Sequence, residues 1–529
     1  MKLKDALRPE CRKEFEEKGY RLPTYDREAL KQRTHEEPAW IHFGAGNIFR
    51  AFQASLLNDV LEAGEYDRGV IVAEGYDYEL IDRTYRAFDD LALAVVLHSD
   101  GSIEKNVIGS ITESLKADPS FPEDTERIKE IFRKPSLSMV SFSITEKGYN
   151  FNEADLARGF GAQFMMGKLT GYLYERFLAG AYPLTLQSMD NCSHNGDRVK
   201  TAVHAYARSW ADAGLVPEEF YAYVTDEEKV SYPWSMIDRI VPRPDPKAAA
   251  LLAADGLEDT AAFETEKHSF TAPYANAEEV GYLVIEDHYV NGRLPLDKGG
   301  AIFTDRETVD KVERMKVCTC LNPLHTALGT IGCVLGETLV SAEMEDEDLR
   351  TYVTRMAYEE AMPVVTDPGI IDPKAFLNEV LTKRFPNRFM PDTPQRLVMD
   401  NSQKIPVRFG ETIKNYIKNG LDLSKLTLIP LALASYARYL RGLDDNGAPF
   451  SPSADPLLDE LMDIVKDLEV REGEQDFSCL KKLYCRAEIF GVDLYTTVLG
   501  EKVEGIVKEL YAGPGAVRRT LHKYVTLKA

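Results

Sequence analysis

Apolar and polar residues alternate over the first 300 residues in the pattern of a layered α/β protein. Short apolar runs, typical of buried strands, lie at 38–43, 69–73, 91–97, 137–144 and 183–188. Between them, apolar residues recur every three or four positions, as in amphipathic helices, at 47–60, 124–133, 153–179 and 198–213. Strands that alternate with helices in this way predict a mostly parallel sheet.

The hydrophobic pattern changes near residue 300, beyond which strand signals nearly vanish. Helical periodicity is found at 305–336, 345–361, 409–419, 426–443, 454–469 and 500–512. The loop 292–300 is rich in turn-forming residues and marks the change. We therefore predict an α/β fold with a Rossmann-like dinucleotide-binding domain at 1–295, including an N-terminal extension, and a mostly α-helical catalytic domain at 296–529.

A glycine turn follows the first predicted strand. Gly44 and Gly46 stand between that strand and the helix 47–60, and the second strand follows at 69–73. Strand, glycine turn, helix and strand form the opening unit of a dinucleotide-binding fold, in which the turn lets the backbone approach a pyrophosphate. The third glycine of the usual fingerprint is replaced by Phe49.

Two acidic residues follow the second strand, Glu74 at once and Asp77 three positions later. A carboxylate at this place binds the ribose 2′-OH and repels a 2′-phosphate, which favours NAD over NADP. The structural alternative is that one of the two only begins the turn Glu74–Asp77.

Composition excludes several classes of protein. The chain has 529 residues, with 63 basic and 86 acidic side chains and a net charge of −23, which argues against a nucleic-acid or anionic-membrane binder. We find no apolar run of membrane-span length and no signal-peptide core at the start. The seven cysteines are scattered, without a paired zinc-binding pattern. A cytoplasmic protein with reduced thiols is expected.

Polar clusters follow two of the predicted strands, at 143–149 and 187–196. Ligands gather at the carboxyl ends of parallel strands, although the same residue types also fill ordinary turns. A third cluster, at 383–408, has a net charge of +4 in an acidic chain. It is either a solvated basic face or a site for an anionic substrate.

The helical stretch 313–325 carries polar residues in an otherwise apolar segment. Lys316, Asn322 and His325 interrupt it, and a buried polar group is costly unless it has a partner. A buried lysine is also readily shifted toward the neutral form that proton transfer requires. Taken alone, the three residues could equally be a solvated lysine and satisfied core or cap residues.

Several motifs in order resemble the polyol-specific long-chain dehydrogenases, the mannitol dehydrogenase family, over nearly the whole chain after residue 38. The motifs are His42–Gln53, which resembles the family's cofactor loop where Phe-x-Arg-Ala replaces the third glycine, Thr145-Glu-Lys-Gly-Tyr149, Ser188-Met-Asp-Asn191 with Asn195-Gly196, Tyr232–Ile240, Val284–Asp287, Gly292-Arg293, and the pair Arg396 and Lys404.

The resemblance implies a metal-independent, NAD-linked oxidoreductase. In it Lys316 is the general acid/base, and Asn191 and Asn322 donate hydrogen bonds to the reacting oxygen. His325 orients a substrate hydroxyl, and Glu313 lies near the proton exit. The implied cofactor-binding residues are Gly44, Gly46, Asn47, Ile48, Phe49, Glu74, Asp77, Thr145 and Glu146.

The implied substrate is a sugar acid or a polyol, contacted by Arg396 and Lys404. Arg388 and Arg408 lie outside this shared pair and are candidates to hold a carboxylate. The wording of the segment Lys316–His325 favours the sugar-acid branch, with reduction of fructuronate to mannonate. The alternatives are a tagaturonate reductase, a mannitol or polyol 2-dehydrogenase and, from another class, a non-catalytic sensor of NAD or sugar acids. A monomer or small homo-oligomer is expected.

The chain departs from the family pattern at one place. The family's lysine precedes its asparagine by five residues and its histidine by eight, whereas the offsets here are six and nine. At about 100° per residue, nine residues would put Lys316 and His325 roughly 180° apart, and eight would leave them about 80° apart. Because a π-bulge absorbs one residue and Pro323 cannot complete the helical hydrogen-bond pattern, we predict a bulge or kink at 317–322.

Overall fold

The structure is a computed structural model that describes residues 1–258 and 260–527. It divides into two compact units, Met1–Asp310 and Lys311–Ala529. The division falls inside a helix that begins at Arg306, so the loop 292–300, where the boundary is predicted, belongs to the first unit.

The strands all lie in the first unit as far as the chain is described. They are β1 (Tyr20–Arg21), β2 (Trp40–Phe43), β3 (Val70–Glu74), β4 (Ala92–Leu97), β5 (Ile103–Ile108), β6 (Ile111–Lys116), β7 (Met139–Phe142), β8 (Leu184–Ser188), β9 (Val230–Ser231), β10 (Ser235–Asp238), β11 (Phe263–Glu264), β12 (Phe270–Thr271), β13 (Tyr274–Glu278), β14 (Tyr282–Glu286) and β15 (Ile302–Thr304). The described α-helices of this unit are α1 (Pro9–Glu17), α2 (Arg27–Glu36), α3 (Ala54–Glu62), α4 (Pro122–Arg133), α5 (Glu153–Leu156), α6 (Met165–Gly180), α7 (Asn195–Asp212), α8 (Glu218–Thr225) and α9 (Pro246–Ala254). A further helix, α10 (Arg306–Met315), begins in the first unit and ends in the second.

The central sheet is parallel throughout and has the strand order β6-β3-β2-β7-β8-β9. Counted along the chain from β2, this is the order 3-2-1-4-5-6 of dinucleotide-binding folds. The topological switch point lies between β2 and β7, and the glycine turn follows β2 directly. The predicted fold class is therefore confirmed.

Both faces of the central sheet are buried, which explains the continuous apolar runs of its inner strands. Successive side chains of a strand point to opposite faces. Accordingly, Ile41 and Phe43 belong to one core cluster and Trp40 to the other. The first cluster includes residues of α4, α6, α7 and α8, and the second includes residues of α3.

The predicted strand at 91–97 forms, as β4, but not in the central sheet. It pairs with β5 and β13 in a separate sheet of order β1-β5-β4-β13. The third strand of the central sheet is instead β6, whose sequence Ile-Thr-Glu-Ser-Leu-Lys has too few apolar residues to be recognised as a buried strand. The predicted helix 153–179 is divided into α5 and α6, with Gly159 and Gly161 between them.

Every named secondary-structure element in the described part of the second unit is a helix. Its α-helices are α11 (Asn322–Leu335), α12 (Val340–Glu343), α13 (Glu347–Arg355), α14 (Pro373–Glu379), α15 (Pro394–Leu397), α16 (Asn401–Ile405), α17 (Glu411–Lys418), α18 (Leu428–Leu440), α19 (Leu458–Val465), α20 (Leu480–Tyr484), α21 (Ala487–Phe490), α22 (Leu499–Leu510) and α23 (Ala516–Thr526). Several are preceded or followed by a π-helical turn, at Lys316–Cys320, Met356–Ala361, Val380–Arg384 and Pro406–Gly410.

The helical run Arg306–Leu335 is long and apolar enough to cross a membrane by length and composition, contrary to the expectation that no such run exists. Its most apolar window is 78% buried inside the protein, as in the core helix of a soluble domain.

Candidate active site

The structure requires a glycine at only one of the two positions in the turn after β2. Gly44 has a φ of +116°, and a Cβ there would lie 2.2 Å from the carbonyl oxygen of Ser143. Only glycine fits this position. Gly46 has no atom within 4 Å of the place where its Cβ would stand. The fold therefore does not require a glycine at Gly46, and the open space is available to a ligand.

Glu74 connects the glycine turn to the turn that follows β3. Its carboxylate accepts hydrogen bonds from the backbone N–H groups of Ala45 (2.8 Å), Tyr76 (2.9 Å) and Asp77 (3.2 Å). Burial raises the pKa of Glu74, and the three N–H groups oppose that rise. Glu74 thus begins the turn Glu74–Asp77, as the structural alternative has it, and also fixes that turn against the glycine turn.

A small hairpin formed by β11 and β12 packs on this region and was not predicted. Buried Arg50 donates to the carbonyl of Ala272 (2.9 Å) and to the side chain of Asn47 (2.7 Å). Thr265 of the hairpin donates to the carboxylate of Asp77 (2.6 Å). Arg50 is the arginine of the segment Phe49-Arg50-Ala51 in the motif His42–Gln53, so the motif contains the signal for this contact.

His42 lies beneath the glycine turn and is fully buried. Its ring nitrogens are 2.6 Å from Oγ of Ser141 and 2.7 Å from Oγ of Ser143. Phe49, which replaces the third glycine, is buried and stacks on the imidazole at 4.3 Å. Burial lowers the pKa of His42 to about 3.

We expect His42 to make the protein sensitive to acid. An unfolded histidine takes up a proton near pH 6.5, whereas folded His42 stays neutral until about pH 3. Stability is therefore lost as the pH falls through this window, by about 2 kcal/mol between pH 7.5 and pH 5. Denaturant unfolding at the two pH values, on the wild type and on His42→Asn, should show a smaller pH dependence in the variant.

The control for this measurement is His268→Asn, because His268 is exposed on the same unit. It should keep the pH dependence of the wild type. An equal pH dependence in His42→Asn and in the wild type would contradict a neutral His42.

The polar clusters after β7 and β8 form one network around Asp190. Its carboxylate accepts hydrogen bonds from the backbone N–H groups of Ile144 (2.8 Å) and Thr145 (3.0 Å) and from the hydroxyl of Tyr149 (2.5 Å). Thr145 has a φ of +62°, a conformation that a β-branched residue rarely adopts. Asp190 therefore holds a strained backbone at the edge of the central sheet where the parallel strands have their carboxyl ends. Exposed Asn191 follows it directly.

Residues of the motifs Asn195-Gly196 and Tyr232–Ile240 pack together at the same edge of the central sheet. The side chain of Asn195 pairs with the backbone and hydroxyl of Ser235, at 2.9 to 3.0 Å. A Cβ on Gly196 would lie 2.4 Å from the carbonyl oxygen of Tyr232. Glu146, by contrast, is exposed and pairs with Arg198 at 2.8 Å.

The predicted bulge in the lysine-bearing helix is confirmed. Residues Lys316–Cys320 form a π-helical turn, in which the N–H of Leu321 donates to the carbonyl of Lys316 at 3.1 Å, five residues back. The wide turn absorbs one residue, so the nine-residue spacing from Lys316 to His325 corresponds to about eight α-helical residues and about 80°. The two side chains therefore belong to neighbouring faces of the helix rather than to opposite ones.

Three side chains around this turn have features expected of a reactive site. Lys316 is only 3% exposed. Asn322 is the first residue of α11, and its side chain makes no hydrogen bond to the described part of the chain. Glu313, one helical turn before Lys316, is half-buried and likewise has no partner among the described residues.

His325 is held neutral by its surroundings. Burial lowers its pKa to about 4; the carboxylate of Asp392 opposes this, and the charges of Arg408, Arg384 and Arg396 lower the pKa further. A neutral imidazole can donate from one ring nitrogen and accept with the other, which suits the orientation of a hydroxyl group.

The basic residues of 383–408 do not all gather at one place. The charges of Arg396 and Arg408 lower the pKa of both His325 and Lys404. Arg396 pairs with Asp392. Arg388 has a 72% exposed side chain and pairs with Glu345 at 2.6 Å.

The first unit thus has the fold of nicotinamide-dependent dehydrogenases, and the second carries a buried lysine beside side chains suited to a reacting oxygen. These features define the class as a nicotinamide-dependent oxidoreductase. Family models agree: the mannitol dehydrogenase Rossmann domain matches residues 38–298, and the mannitol dehydrogenase C-terminal domain matches residues 308–508. The chain belongs to the mannitol dehydrogenase family, as the motifs predict.

Similar proteins include D-mannonate oxidoreductase of Thermotoga maritima, 46% identical over 525 residues that cover 97% of each chain. A solved D-sorbitol dehydrogenase is 26% identical, with a TM-score of 0.78 over 95% of this chain and 97% of its own. Mannitol 2-dehydrogenase of Pseudomonas fluorescens, solved with NAD and D-mannitol, is 24% identical, with a TM-score of 0.68 over 96% of this chain and 97% of its own.

Proposed function

We propose that the protein catalyses reversible hydride transfer between the nicotinamide of NAD and the CH–OH carbon of a sugar acid, of the fructuronate-to-mannonate type, without a metal ion. The observation that carries this proposal is the π-turn at Lys316–Cys320, which places a buried lysine on a helix with Asn322 and His325. The name of the Thermotoga relative supports a sugar acid as the substrate.

Lys316 acts as the general acid/base in this proposal. In oxidation it takes the proton of the substrate hydroxyl, and in reduction it returns a proton to the carbonyl oxygen. The side-chain amides of Asn191 and Asn322 donate hydrogen bonds to that oxygen as negative charge develops on it. Neutral His325 orients a neighbouring hydroxyl, and half-buried Glu313 passes the proton toward solvent.

The residues of the first unit fit a dinucleotide. The open space at Gly46 admits a pyrophosphate at the start of the helical segment 47–62, which continues through a π-helical turn at Phe49–Gln53 into α3. Asn47 and Ile48 are the first residues of this segment. Glu74 and Asp77 put two buried carboxylates after β3, both of which accept hydrogen bonds from the protein, and acidic residues at this place disfavour a 2′-phosphate. NAD, when bound, supplies or accepts the hydride.

The alternatives within the family are a tagaturonate reductase and a mannitol or polyol 2-dehydrogenase. The deciding experiment is NADH oxidation with fructuronate, tagaturonate and fructose as separate substrates. Turnover is expected with fructuronate. Turnover with fructose alone would overturn the sugar-acid assignment, and NADH binding without any turnover would indicate the sensor instead.

The proposal places the enzyme in the cytoplasm as a monomer or small homo-oligomer. No disulfide joins the seven cysteines, all of which lie in the described part of the chain, and this agrees with a reducing compartment. Size-exclusion chromatography with light scattering would determine the oligomeric state.

A further inference from the structure

We propose that Arg408 binds the carboxylate of the substrate and so sets the preference for sugar acids over neutral sugars. The inference rests on the proposed function and deepens it, because it names the residue that recognises the acid.

Arg408 is a deeply placed cation with little protein to satisfy it. It is 9% exposed, and within the described residues its guanidinium makes one hydrogen bond, from Nη1 to the hydroxyl of Thr326. A guanidinium has five N–H donors, and a buried charge without partners is costly. Within the described residues no carboxylate pairs with Arg408.

Other buried arginines of this protein are better satisfied. Arg176 donates to five backbone carbonyls. Arg27 pairs with Asp89 and donates to further carbonyls. The poor satisfaction of Arg408 is therefore not a general property of the buried arginines here, and it points to a missing anionic partner.

The remaining N–H groups of Arg408 are accessible to such a partner. None of its nitrogens is both enclosed and unpaired. Burial lowers the pKa of Arg408 to about 10, so the guanidinium stays charged at neutral pH. A carboxylate can accept two parallel hydrogen bonds from one guanidinium, and its negative charge would neutralise the buried cation.

The position of Arg408 suits a group attached to the reacting substrate. Thr326, to which it is bonded, follows His325 directly. His325 and Lys404 both feel its charge. Asp392, the carboxylate that acts on His325, is paired with Arg396 rather than with Arg408.

Arg388 is the rival for this role. Its exposed side chain already has Glu345 as an anionic partner. Two arginines of the same segment, one buried without an acid and one exposed with an acid, therefore make a matched pair.

The test compares kcat/KM for fructuronate and for fructose in the wild type and in Arg408→Met. We expect kcat/KM for fructuronate to fall by about 10- to 100-fold, the cost of losing a charged hydrogen-bond donor. The value for fructose, a ketose without a carboxylate, should stay within a factor of about two. Arg408→Lys keeps the charge but not the paired donors, so its kcat/KM for fructuronate should lie between those of the wild type and Arg408→Met. It replaces Arg408→Met in the test if the methionine variant does not fold.

Arg519→Met, an exposed arginine on α23, is the neutral control. Equal losses on both substrates would show a structural role and overturn the proposal. If only Arg388→Met lost the preference for the acid, the carboxylate would be assigned to Arg388 and the proposal would fail. If Arg408→Met bound NADH more weakly but kept the preference, Arg408 would be assigned to the cofactor instead. Failure of the wild type to reduce any sugar acid would instead contradict the proposed function.

Discussion

Replacing Lys316 by methionine should lower kcat by about 10²- to 10⁴-fold while leaving the fold and NADH binding intact. Methionine is close to lysine in length and has no charge, so it fills the buried position without a cavity. The chemical reason is that, in the proposed mechanism, only Lys316 exchanges a proton with the substrate hydroxyl. Steady-state kinetics, NADH fluorescence titration and thermal unfolding measure the three quantities separately.

The matched control is Lys418→Met, an exposed lysine on α17. It should retain wild-type kcat. A Lys316→Met enzyme with near-normal turnover would reject the proposed mechanism. A variant that lost NADH binding together with turnover would show that Lys316 supports the structure rather than the chemistry.

Gly46→Ala should weaken NADH binding by about tenfold or more without changing the melting temperature. A Cβ at Gly46 meets no protein atom within 4 Å, so the fold has room for it. Only a ligand whose pyrophosphate approaches the backbone would collide with it. Gly44→Ala should behave differently and lower the free energy of unfolding by about 2 kcal/mol or more, since it combines a positive φ with a 2.2 Å approach to Ser143.

Gly161→Ala supplies the control for both glycines. Gly161 also has no atom within 4 Å of a Cβ and no positive φ, and it lies in the same unit. It should change neither stability nor NADH affinity. Unchanged NADH affinity in Gly46→Ala would contradict the assignment of the glycine turn to the cofactor.

Much of the first unit could be predicted because its signals are local. A strand, a glycine turn and a helix follow one another within 25 residues, and each element is visible in the hydrophobic pattern. Strand partners were harder to predict, because pairing depends on distant residues. The apolar run 91–97 resembles a central strand, yet β13 and β5 pair with it in another sheet.

Side-chain orientation limited the prediction of the site. The sequence places Glu74 after β3, but it cannot reveal that the carboxylate turns toward Ala45. The charge of residues 383–408 likewise does not distinguish buried Arg408 from exposed Arg388. The π-turn, in contrast, could be predicted, because one surplus residue and Pro323 both disfavour a regular helix there.

The π-turn at Lys316–Cys320 also bears on how such enzymes diverge. A residue inserted into a regular helix would rotate everything beyond it by about 100° and inactivate the site. A single widened turn confines that displacement to one turn of the helix, so an insertion beside Lys316 can be neutral. We therefore expect relatives with the shorter spacing to differ from this protein by a one-residue gap within this turn, with the helices before and after it in register.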